Sequence, residues 1–189
     1  MNRLLKTAAP SATSMIRMDH THVMATFHRY RLDASPRTKR GLVETVCLAL
    51  EIHAQLEEEI FYPALRAAGS ELVEKSFPEH EEMRRLIGML RGMDAADEQY
   101  DAIFMDLMRA VMHHVADEET VLLPQAESLL AERLGELGAQ MTQRRLQLAA
   151  PRTGQMARNM LRALPPKGML VGVGALLAGA MAFRRLRRS

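Results

Sequence analysis

Apolar positions recur at three- and four-residue spacings along most of the chain, the spacing of one buried helix face. After Pro10, Ile16, His20, Val23, Met24 and Phe27 share such a face, with Ser11, Thr13 or Ser14 available as the cap. "DASPR" then predicts a turn. From Arg37 to about Ala68 a second stripe carries Val43, Val46, Cys47, Leu50, His53, Glu57, Ile60, Phe61 and Ala64, is ended by Gly69 and is expected to bend at Pro63. Ser70 is the expected cap of a third helical region, whose stripe after Pro78 is His80, Met83, Ile87 and Leu90, stopping near Gly92. A fourth begins near Asp97 with Ile103, Leu107, Val111, His114, Glu118, Val121 and Leu122, bent or broken at Pro124.

Four long amphipathic helices on short loops predict an all-α fold, an antiparallel (up-down) four-helix bundle with a C-terminal helical extension. Residues 11–133 form the expected bundle. Residues 134–166 read as a basic amphipathic helix ("GELGAQMTQRRLQLAA") followed by a connector ("PRTGQMARNMLRALPP"), and residues 167–189 as an apolar, basic-flanked tail.

The stripes are unusual in what they bury. His53 and Glu57 lie one turn apart on the core face, as do His114 and Glu118, so each pair can approach one buried point. A buried carboxylate costs several kcal/mol without a partner, and no Lys or Arg shares these stripes at the same levels. His20 and His80 fall on the inward faces of the other two helices, giving four imidazoles and two carboxylates. That set exceeds one tetrahedral zinc and suits two metals bridged by both carboxylates, with a solvent (oxo or hydroxo) bridge and an exchangeable position. Iron is the expected metal, ahead of manganese or zinc.

The chain also repeats itself weakly. His53 and His114 each have Glu at +4 and +5 and Pro at +10, 61 residues apart, and "DH" at 19–20 precedes "EH" at 79–80 by 60. With "HAQLEEEIFYP" at 53–63 and "HHVADEETVLLP" at 113–124, these motifs make residues 13–130 resemble the bacterial hemerythrin-like proteins, the HHE cation-binding domains. The resemblance implies a di-iron site with His20, His53, His80 and His114 as nitrogen ligands and Glu57 and Glu118 as bridges. It implies a protein that binds dioxygen or nitric oxide in sensing, delivery or stress protection, or alternatively an enzyme turning over peroxide or nitric oxide or repairing iron centres. Arg84 stands where the oxygen carriers have a further histidine, and no cysteine-bearing segment of the repair proteins precedes the bundle.

The neighbouring polar residues have plainer readings. His22 is the rival to His20, His28 is off the stripe, and His113 points about 100° away from His114. Glu58, Glu59 and Glu119 read as solvated or as partners of the ligands. Asp19 and Glu79 read as helix-start residues, with a hydrogen bond to a ligand histidine as a second role. Cys47 reads as a core filler.

Charge is divided. From Leu137 onward there are 10 basic residues and no acidic ones, leaving 15 basic against 23 acidic before it. An acidic body argues against a nucleic-acid partner, and the basic tail suits phosphate groups. Absence of a signal-like apolar start places the globular part in the cytoplasm. The 16-residue run "GMLVGVGALLAGAMAF", fenced by Lys167 and "RRLRR", rises only about 24 Å as a helix against a hydrocarbon core of about 30 Å. Its small residues four apart favour close helix packing, so it is expected to anchor the protein to the inner membrane, with packing on a partner or oligomerisation through the tail as alternatives to anchoring, and it offers a further functional reading, a membrane-anchored scaffold with a structural metal.

Overall fold

A computed structural model describes residues 9–164, all helix and loop among them. The chain forms α1 (Ala12–Phe27), α2 (Pro36–Leu56), α3 (Tyr62–Ala67), α4 (Ser76–Gly92), α5 (Tyr100–Asp117), α6 (Leu123–Leu129), α7 (Leu134–Ala149) and α8 (Thr153–Ala163). Helices α1 and α2 make one hairpin and α4 and α5 the other, and the two pack as the expected bundle. Ser11 caps α1 by accepting from the Ser14 N–H at 3.2 Å, and Ser35 caps α2 through Thr38 at 3.2 Å with Pro36 at the first turn.

The two prolines act on the helices in the same way. Between α2 and α3, residues Glu57–Phe61 form a π-turn, and between α5 and α6, Glu118–Leu122 form another. Pro63 and Pro124 follow each by two residues. A proline has no N–H to donate and crowds the carbonyl four residues back, and one extra residue per turn relieves both problems. The N–H of Tyr62 then bonds the Glu57 carbonyl, and that of Leu123 bonds Glu118. Thus the bend expected at Pro63 is a local widening that swings each glutamate toward the bundle axis.

Three details differ from the sequence reading. Ser70 caps no helix: Gly69, at φ 90°, ends α3, and the Ser70 N–H closes the turn onto Leu65 O at 3.1 Å. A 3₁₀ turn, Leu72–Lys75, then leads into α4. The segment read as a connector is helical from Thr153 to Ala163 and packs along α2.

Gly41 permits that last contact, since a Cβ there would lie 2.4 Å from the Ala163 backbone nitrogen. Gly41→Ala is expected to push α8 off the bundle at a cost of about 1–3 kcal/mol. Urea unfolding and faster tryptic cleavage at Arg158 and Arg162 measure it.

The core divides at the level of the histidines. One cluster, with Ile16, Leu56, Phe61, Leu65, Leu123 and Leu137, lies on one side, and another, with Val43, Val46, Leu90, Phe104, Leu107 and Val111, on the other. Cys47 is fully buried, and burial pushes its thiol up to about 12, which fits the filler reading. Among the described residues no helix is long and apolar enough to cross a membrane. The expected anchor at 167–189 lies outside the described residues.

Candidate metal centre

All six sequence-selected side chains meet between the two core clusters. His20, His53, Glu57, His80, His114 and Glu118 are each at most 4% exposed. His22, the rival to His20, and His113 face solvent, whereas His20 is buried with the other five.

The arrangement follows the sequence repeat as a pseudo-twofold. His53 Nε2 lies 3.2 Å from Glu57 Oε2, and His114 Nε2 lies 3.6 Å from Glu118 Oε2, each within one helix. Across the bundle, His80 Nε2 lies 3.4 Å from Glu57 Oε2, and His20 Nε2 lies 3.3 Å from Glu118 Oε2. The rings pair as His20 with His53, centroids 5.1 Å apart, and His80 with His114, 4.7 Å apart. Donor atoms of His20, His53, Glu57 and Glu118 form one group and those of Glu57, His80 and His114 a second, within 4.8 Å in each case. Both groups contain Glu57.

Every imidazole is held from behind by a carboxylate at Nδ1. His20 meets Glu119 at 2.9 Å, His80 meets Glu58 at 2.8 Å, His114 meets Glu79 at 2.8 Å, and His53 lies 3.5 Å from Asp19. The repeat extends to this outer ring, since Asp19 matches Glu79 and Glu58 matches Glu119. A carboxylate at Nδ1 fixes the tautomer with its proton there and leaves a lone pair on Nε2, facing inward. Asp19 sits in the middle of α1, not at its start, so the helix-start reading fails for it, while Glu79 serves both roles in the first turn of α4. Glu59 is exposed and, among the described residues, pairs with Gln55 and Arg144.

Two arginines invisible to the stripe analysis reach the outer ring. Arg145 of α7 grips Asp19 through both guanidinium nitrogens, one at 2.6 Å, and Arg84 pairs with Glu58. Sequence reasoning also missed Tyr62. It is fully buried, and its hydroxyl lies 2.9 Å from Glu118 Oε1 and 3.1 Å from Glu57 Oε2. One hydroxyl proton serves only one of them at a time. The π-turn explains its reach, bringing residue i+5 over residue i. Leu123 occupies the matching place in the second half, so the repeat itself gave no hint of a polar residue there.

The inner atoms do not satisfy one another. His20 Nε2, His53 Nε2, Glu57 Oε1 and Glu118 Oε2 are buried without a hydrogen-bond partner. Burial pushes His53 down to about 4 and also lowers His80, which holds both imidazoles neutral at physiological pH. At His20 burial pulls the same way, but the neighbouring carboxylates of Glu118 and Glu119 outweigh it and raise it. Burial and the charge of Glu118 raise Glu57 far above the carboxylate range, whereas at Glu118 burial is overcome by His20 beside it and the other surrounding imidazoles, which lower it. Two carboxylates and four imidazole lone pairs confined together lack positive charge, and this donor set fits a metal.

Residues 11–150 match the hemerythrin HHE cation binding domain. The chain belongs to the hemerythrin HHE cation-binding family. Its fold is that of a hemerythrin HHE cation binding domain-containing protein from Mycobacterium kansasii, with a TM-score of 0.67 at 18% identity over 82% of this chain and 99% of that one. It is also 28% identical over 109 residues to a DNA nickase from Nostoc sp. (strain PCC 7120 / SAG 25.82 / UTEX 2576), covering 57% of this chain. The chain spans under a third, 31%, of that relative's length. As an HHE domain, this chain is a cation-binding helical protein, and its His/Glu groups are where a cation fits.

Tyr62→Phe is expected to keep the metal, since the matching Leu123 is apolar, but to lower stability by about 2 kcal/mol by removing a hydrogen bond to a buried carboxylate. Metal content and urea midpoints of the loaded protein check both parts.

Proposed function

We propose that the centre holds two iron ions and binds dioxygen or nitric oxide reversibly, in sensing, delivery or protection against oxidative and nitrosative stress. The observation that carries the reading is the convergence of four inward Nε2 atoms on two buried carboxylates, each with one oxygen that has no hydrogen-bond partner. His20 with His53 would hold one ion and His80 with His114 the other, with Glu57 and Glu118 between them. Charge supports the number. In the inner and outer rings six carboxylates (Asp19, Glu57, Glu58, Glu79, Glu118 and Glu119) face two paired guanidiniums (Arg84 and Arg145), leaving four negative charges, those of two divalent cations.

Ferrous iron held by these residues would supply the electrons and the exchangeable position for a diatomic ligand. The chain's own part is orientation and exclusion. Carboxylates behind each ring fix the donor atoms, the surrounding Leu, Ile and Phe side chains keep bulk water out, and Tyr62 offers one proton to the bridging carboxylates. A cavity of about 120 Å³ with Glu79, Asp117 and Glu118 in its wall gives a diatomic molecule room beside the centre. The acidic outer ring opposes a nucleic-acid substrate, so the nicking activity of the Nostoc protein is left with that protein.

An enzyme turning over peroxide or nitric oxide would use the same donors. Anaerobic reduction followed by oxygen or nitric oxide separates the readings. A visible spectrum that changes on gas addition and reverses on its removal supports carriage or sensing. Steady consumption of peroxide or nitric oxide supports the enzyme, and an unchanged spectrum with no consumption contradicts both.

A further inference from the structure

Charge breaks the pseudo-twofold at two places: Arg84 pairs with Glu58 while the matching Glu119 has no Lys or Arg ion pair among the described residues, and Asp19 and Glu79 differ in the same way. In the first half, the outer carboxylate Asp19 is capped by Arg145, and the positions matching His113 and Asp117 are Ile52 and Leu56, both buried. In the second half the matching carboxylate, Glu79, has no Lys or Arg ion pair among the described residues. Instead, Glu79 faces His113 and Asp117, and the three offer donor atoms within 4.8 Å of one another. His113 and Asp117 are one turn apart on the outer face of α5, and Glu79 reaches them from the first turn of α4. All three are at least partly open to solvent.

A second observation connects this trio with the buried centre. The 120 Å³ cavity has Glu79 and Asp117 in its wall together with Glu118, which is 1% exposed and has an unpartnered Oε2. Lys75 also lines this cavity but makes no ion pair with the trio. The six inner side chains are shut off from solvent, so an ion must be handed in by groups that can shed its water stepwise. One imidazole and two carboxylates, with the remaining positions left to water, suit a first-row divalent ion held loosely. Where the first half places a guanidinium against the outer carboxylate, the second half leaves room for an exchangeable cation.

We propose that Glu79, His113 and Asp117 form an outer, exchangeable site for a first-row divalent metal ion, from which the buried centre is loaded. The loading role rests on the di-iron reading above, whereas the outer site itself does not.

The probe is manganese(II), added to the iron-loaded full-length protein and followed by electron paramagnetic resonance. Wild type is expected to bind one manganese ion per chain in addition to its resident metal, with loss of the free-ion signal. His113→Ala/Asp117→Asn is expected to weaken this binding by at least about tenfold while leaving the resident iron count unchanged. Both positions are solvent-facing, and His113→Ala alone is a second, milder variant expected to act in the same direction. In the metal-free protein the same changes are expected to slow ferrous uptake without altering the final count. Wild type that binds no extra manganese, or variants that bind it as wild type does, would overturn the outer site. Outer binding intact with unchanged uptake rates in the variants would overturn the loading role. Manganese binding that depends on His113 and Asp117 in a protein with no resident metal would instead overturn the di-iron reading and leave the outer site standing.

Discussion

Replacing Glu57 and Glu118 together with leucine is expected to abolish metal binding and yet to make the metal-free protein more stable than metal-free wild type, by about 1–4 kcal/mol. Both carboxylates are essentially inaccessible, at 0% and 1% exposure, and leucine is close to glutamate in volume. Without a cation, the two carboxyl groups oppose each other across the core, and burial and the charge of Glu118 keep a proton on Glu57. Leucine removes the desolvation cost and the mutual repulsion and adds apolar contact with the clusters on either side. Wild type recovers its advantage only when the ions bind, through the linkage of ligand binding to folding. Urea unfolding in the presence and absence of chelator measures all four states. A double variant less stable than metal-free wild type would mean that the two glutamates hold the bundle together by themselves.

The second large effect is on the pH dependence of the metal-free protein. His53 is neutral in the fold down to about 4, because burial opposes its charge, whereas an unfolded histidine takes up its proton near 6.5. Below 6.5 the unfolded chain therefore binds more protons than the folded one, and stability falls with pH. The contribution of His53 is fully present above pH 6.5 and is lost progressively on acidification toward 4. The shift between those values corresponds to about 3 kcal/mol. His80, lowered by burial, adds in the same direction, whereas Glu57, raised by burial and the charge of Glu118, and His20, raised by its carboxylate neighbours, work against it. Urea midpoints in chelator between pH 7 and 4 should fall more, or rise less, for wild type than for His53→Leu. The same pH profile in wild type and His53→Leu would contradict the assignment of His53 as a neutral, desolvated imidazole.

The inner six residues were legible because each lies on an apolar stripe where its polarity is costly, and because matched offsets turned two coincidences into a repeat. The prolines were legible as bends, although one dimension was missing: period 3.6 says nothing about a widened turn, and only that turn carries Tyr62 over Glu57. The outer ring was harder to read. Glu58 and Glu119 sit one residue past the inward glutamates, where helical spacing points them off the stripe, and they reach back across to His80 and His20 on neighbouring helices. Arg145 lies 126 residues from the Asp19 it pairs with, and no local pattern links the two. The helix α8 was hidden by its composition: prolines on both sides, Gly154 and a run of arginines resemble a connector, and only packing against Gly41 of α2 shows why it folds.

The central claim is tested most directly by diffraction from crystals of the full-length protein at energies above and below the iron absorption edge. The account predicts two anomalous peaks per chain that vanish below the edge, one between His20 and His53 and the other between His80 and His114, with Glu57 and Glu118 spanning them. No iron peak at these side chains, or a single peak with only one histidine pair engaged, would contradict it.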